Sequence, residues 1–160
     1  MRSVYTINSL EEMNPNKRNI VIVKNASEIQ KLKSLEEYYH FCIRLVINHV
    51  DEELVDLLIS LNMAFEIVLR NNDLNEREMS LLHRFKESTN NKVYLAYDID
   101  DSSQFDRVLM TYYINQYGII GLLNTQDKHM YNEWAMEIAK YTKKQNVKKL
   151  NRAYIGTKDS

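Results

Sequence analysis

The chain has 160 residues, enough to bury one core without disulfide or metal staples. Its 44 % apolar and 27 % charged residues exclude a disordered chain, and no run approaches about 18 uninterrupted apolar residues, so no membrane-spanning helix is expected. The formal charge of −1 conceals +6 over residues 140–160 against −7 elsewhere, which argues against a uniformly basic nucleic-acid-binding body.

The opening stretch, MRSVYTINSLEEMNPNKRN, lacks the apolar run of a secretory signal. A single cysteine, Cys42, excludes an internal disulfide and fits a reducing compartment, so a cytoplasmic location is expected. Its apolar neighbours in YYHFCIRLVI favour a packed thiol over a reactive one. Glycine is scarce (Gly118, Gly121, Gly156). A P-loop or a Rossmann fingerprint needs closely spaced glycines, and neither motif is present.

In chain order, Val4, Tyr5 and Ile7 suggest an extra edge strand, with antiparallel pairing one option. Residues 20–23 (IVIV) form the first clear strand. Ser27 with Gln30 has capping-box spacing before a helix carrying Ile29, Leu32 and Leu35. Residues 41–47 (FCIRLVI) form the next strand. Asp51 then caps a helix whose Leu54, Leu57, Leu58 and Leu61 fall at i, i+3, i+4, i+7. Residues 65–69 (FEIVL) lead to a cap at Asp73 with Glu76, and a helix burying Met79, Leu82 and Phe85.

Residues 93–97 (VYLAY) run into Asp98, Ile99, Asp100 and Asp101. Ser102 or Ser103 caps the following helix, where Phe105, Val108, Leu109 and Tyr112 share the face expected to be buried. Gly118 suits a left-handed helix end. Residues 119–123 (IIGLL) form the last clear strand, in which Gly121 marks a close backbone approach or a bend. A final helix after Asp127 carries Met130, Trp134, Ile138 and Tyr141.

Strand starts at 20, 41, 65, 93 and 119 are spaced like βα units. The expected fold is therefore α/β. It has three layers, with a mostly parallel sheet of five strands, or six with the N-terminal edge, and helices on both faces, flavodoxin-like or Rossmann-like. A half barrel is the alternative, because strand order is not visible in the sequence. Residues 1–142 read as one domain and 143–160 as a basic C-terminal extension.

In such sheets ligands lie beyond the carboxyl ends of the strands. There the sequence offers Asn48, His49 and Asp51, then Arg70, Asn71 and Asn72, and finally the YDIDD cluster with Asn124, Thr125 and Asp127. If the strand continues through residue 100, Asp98 and Asp100 share a face and, with Asp101, could hold Mg²⁺. With His49 as acid or base they would form a metal-dependent phosphodiester or phosphate-transfer site. The same aspartates equally terminate a strand and cap a helix.

VYLAYDIDDS resembles the acidic DxD signature of toprim domains, which implies Mg²⁺-dependent action on nucleic acid. Their earlier glutamate has no counterpart, since IVIV is followed by Lys24 and Asn25. The acidic pair and lysine of aspartyl-phosphate receiver domains are also missing.

The function expected first is a non-catalytic, accessory or regulatory binding protein that needs no cofactor. It would take a protein partner, with a homodimer as one form of this and no membrane. Eleven tyrosines suit such a surface. Nucleic-acid binding through KKQNVKKLNRAYIGTK is a less favoured alternative. The Asn, Lys and Tyr content resembles coding from an AT-rich genome, such as that of a low-GC bacterium or its phage.

Overall fold

Among the described residues, apolar runs bounded by polar caps become seven parallel strands and five helices, alternating from β2 onward. The computed structural model describes residues 4–7, 16, 18–35, 41–100, 102–143, 146–151, 154 and 155. The strands are β1 (Val4–Ile7), β2 (Arg18–Val23), β3 (Phe41–Ile47), β4 (Glu66–Arg70), β5 (Val93–Asp98), β6 (Ile120–Asn124) and β7 (Val147–Lys149). The helices are α1 (Ala26–Lys33), α2 (Glu52–Ser60), α3 (Glu76–Thr89), α4 (Gln104–Tyr117) and α5 (Lys128–Ala139).

The parallel α/β sheet flanked by helices matches the expected class, the broad one that includes Rossmann-like and flavodoxin-like folds. Its arrangement departs from expectation in three ways. Among the described residues there are seven strands, since the N-terminal edge strand joins the sheet, in parallel, and β7 emerges from the basic extension. Their order is sequential, β1 to β7, with no point where it reverses. Right-handed crossovers in such an order return every helix to the same side of the sheet.

The register confirms that side. Val23, Leu45, Ile67 and Val93 stand in one transverse row, and Leu69, Leu95, Gly121 and Val147 in another. Both rows face the helices, whose Ile29, Leu58, Leu82, Ile114 and Ile138 are each no more than 1 % exposed. Among the described residues, then, no helix covers the opposite face, where two helical layers were expected. That face carries its own smaller core of Ile20, Ile22, Val46, Val68, Tyr94, Ala96 and Leu122, covered by Leu150, Tyr154 and Ile155.

Local signals held with small shifts. Asp51, Ser103 and Asp127 cap their helices, and Ser103 forms a reciprocal capping box with Asp106. Asn25 and Asn75, not Ser27 and Asp73, cap α1 and α3. Gly118 ends α4 at φ 64°. At Gly121 an added Cβ would sit 3.0 Å from Met110 Cε and 3.1 Å from Ile114 Cδ1, so the glycine lets α4 press onto β6.

Candidate functional site

The carboxyl ends of the strands are laced to one another. Extended by two residues, the β4–β5 register sets Asn72 beside Asp98, and Asp98 pairs with Asn124 across β5–β6. Asn72 acts as a substitute strand: its Oδ1 accepts from the Asp98 N–H at 3.0 Å and its Nδ2 donates to the Asp98 carbonyl at 3.1 Å. Asn124 Nδ2 donates to the Asp98 carboxylate, and Thr125 Oγ1 donates to that of Asp100. Between the two aspartates Ile99 is 1 % exposed and turned into the helix-side core.

These contacts correct the magnesium expectation. Strand β5 stops at Asp98, so the two aspartates do not continue one pleated face. Among the described residues no group of three or more His, Cys, Asp or Glu side chains is placed to hold a metal ion. Asp101 lies outside the described residues. The aspartates engage neighbouring Asn and Thr side chains, which is how strand ends are closed without a metal.

His49 stands exposed at the end of β3, with Nδ1 4.0 Å from Glu78 Oε2. No described hydrogen bond or ion pair joins it to Asp98 or Asp100. Glu78, which sequence reading passed over, is 8 % exposed. Its Oε2 accepts from the Val50 N–H at 2.7 Å and its Oε1 from Asn71 Nδ2 at 3.2 Å. One carboxylate thus ties the β3–α2 loop to the β4–α3 loop. Its signal was slight: an acidic residue one position before Met79 on a buried stripe. Removing it leaves a buried N–H without an acceptor, so Glu78→Ala should cost about 1–3 kcal/mol in urea unfolding, whereas Glu87→Ala on the exposed side of α3 should change little.

The sheet face opposite the helices also holds a polar centre that the sequence did not advertise. Arg44 pairs with its cross-strand neighbour Glu66 through Nε at 3.0 Å and Nη2 at 2.8 Å. Its guanidinium lies 4.6 Å from the Tyr154 ring centroid and 5.7 Å from that of Tyr94. Lys24 Nζ donates to the Ile155 carbonyl at 2.8 Å, and the Leu150 N–H to Leu123 at 2.9 Å. The apolar residues of the basic extension therefore strap this face.

The outer surface of α4 and α5 is different. Met110, Tyr113 and Ile114 face the core, while Phe105, Val108 and Tyr112, expected inside, are 68 %, 59 % and 46 % exposed. Met136 of α5 and Tyr141, just beyond the end of that helix, are 70 % and 68 % exposed, against Leu57 alone (39 %) among comparable residues elsewhere in the described chain. A groove of about 350 Å³ runs between the two helices, lined by Arg107, Val108, Thr111, Tyr112, Glu137 and Tyr141 among others. Arg107 stacks 5.1 Å from the Trp134 centroid and pairs with Glu133 and Glu137.

Burial, then the hydrogen bond and charge of Asp106, hold the Tyr97 phenol well above its usual range. Tyr113 and Tyr117 are also raised, first by burial, then by acidic neighbours. Lys24 is lowered by burial and by Arg70, with Glu28 opposing. A raised phenol keeps its proton longer in the fold, so its contribution is complete below the unfolded value of 10.0 and is lost above it. In a Lys24→Met background, which removes the opposing shift, the urea midpoint should fall between about pH 9 and 11. A flat or rising midpoint would contradict this.

No helix among the described residues is long and apolar enough to cross a membrane. No protein-family model, curated protein or solved structure matches this chain.

Proposed function

We propose that this chain is a non-catalytic protein-interaction module that docks a partner's apolar helical face on the outer surface of α4 and α5. The observation that carries the reading is the second apolar stripe of α4. Phe105, Val108 and Tyr112 lie at i, i+3 and i+7, Tyr141 shares their groove just beyond α5, and Met136 is exposed on α5. Single exposed apolar residues are ordinary, but a contiguous patch of large ones marks an interaction surface.

Two further features support it. A sheet without a reversal point lacks the crevice in which parallel α/β sheets usually bind small ligands. The polar groups at its strand ends are largely engaged with each other.

A photo-crosslinking residue at position 108 tests the reading in cells that make the protein. Position 108 should give discrete adducts that Tyr112→Asp abolishes, and position 87 on α3 should give none. No adduct from 108, or equal labelling from both positions, would overturn it.

A further inference from the structure

We infer that the partner seated on this surface is a second copy of the chain, paired through antiparallel α4 helices about a two-fold axis near Val108. The inference rests on the docking function proposed above and names its occupant.

The stripe is self-complementary. From Phe105 to Tyr112 is seven steps, about 10 Å of helix, and Val108 sits close to the midpoint. Turning a copy about an axis there sets Phe105 against Tyr112 of the copy, and Tyr112 against Phe105, with the two Val108 side chains between. A two-fold interface requires that reciprocity, in which residue i meets j and j meets i. Offset or edge-on Phe–Tyr pairs are favourable contacts.

Area and charge agree. From their exposures, the five apolar side chains offer roughly 500–600 Å² per copy, so two copies reach about the 1,000 Å² that a specific interface requires. A patch that meets itself must avoid a strong field of one sign. Here Arg107 lies between Glu133 and Glu137, and Lys140 stands exposed on the same helix end.

The test uses the full chain. Sedimentation equilibrium should give about twice the 19.0 kDa chain mass at micromolar concentrations, and Val108→Glu should weaken association at least about 100-fold. Val108 is exposed, so an unchanged circular dichroism spectrum and thermal midpoint would show that the variant is folded. In a Cys42→Ala background, Val108→Cys should form a disulfide-linked dimer on mild oxidation. Phe105→Cys and Tyr112→Cys should crosslink when mixed but not alone, while Glu87→Cys should not crosslink. A monomer at about 100 µM, or equal crosslinking from positions 87 and 108, would overturn the inference. If the purified chain is monomeric while the position-108 photo-crosslinker still captures a different protein, the second-copy inference fails and the docking function stands. If neither appears, both fail.

Discussion

Replacing Ile155 with aspartate should destabilise the fold by about 3–5 kcal/mol and lower its thermal midpoint by roughly 10 °C. Ile155 is 2 % exposed and closes the smaller core over Ile20, Ile22, Val46 and Val68. A carboxylate there either stays buried without a partner or pulls the strap away and exposes the face beneath. The conservative Ile155→Val should cost only about 0.5–1.5 kcal/mol. Ending the chain at Lys149 should cost more than either and promote aggregation, because an uncovered apolar sheet face is an adhesive surface. Urea unfolding followed by Trp134 fluorescence provides the measurement. An Ile155→Asp chain within about 1 kcal/mol of the parent would mean that the strap contributes little.

The second large effect concerns the residue on which the strap rests. Arg44→Ala should cost about 3–4 kcal/mol, since it strands Glu66, whose side chain is only 21 % exposed, and removes the cation beneath Tyr154. Much of that cost is the unpaired carboxylate. The double replacement Arg44→Met with Glu66→Leu should therefore recover most of it. Coupling to the strap is measurable separately. A cycle of Arg44→Met and Tyr154→Leu in the Glu66→Leu background should show about 0.5–2 kcal/mol of interaction. Additive effects would show that the guanidinium and the ring do not support one another.

Much of the local structure was legible because it depends on neighbours in sequence. Apolar runs at 20–23, 41–47 and 93–97 lie within β2, β3 and β5, and Asp51, Ser103 and Asp127 cap as read. Where two capping types lie within two residues, as with Asn25 and Ser27, local spacing could not choose between them. Strand order is a different kind of information. Each βα unit reads alike wherever its strand lies in the sheet, so a sequential sheet and a reversing one share the same alternation.

Helix α4 shows the same limit on a smaller scale. It is apolar on two sides, and periodicity finds stripes without saying which one meets the sheet. The stripe read as core is the exposed one, and the candidate interface went unseen for that reason. The acidic cluster misled differently. Asp98 and Asp100 fit a metal site or a strand end equally well, and only the positions of Asn72, Asn124 and Thr125, remote in sequence, distinguish them. Arg44 did leave a trace, as the one charge inside FCIRLVI, but its partners Glu66 and Tyr154 lie far along the chain.

The sequential order of the strands also bears on how the chain is made. During synthesis each new strand finds its only neighbour already formed, one βα unit earlier, so the sheet can lengthen as fast as residues leave the ribosome. Its helix side is covered unit by unit along the way. Among the described residues the other side has no cover until Leu150, Tyr154 and Ile155 arrive, and Lys24 must wait 131 residues for the Ile155 carbonyl it holds. The nascent chain is thus most exposed to misassociation just before these residues are added, and a product stalled short of them would keep that exposure.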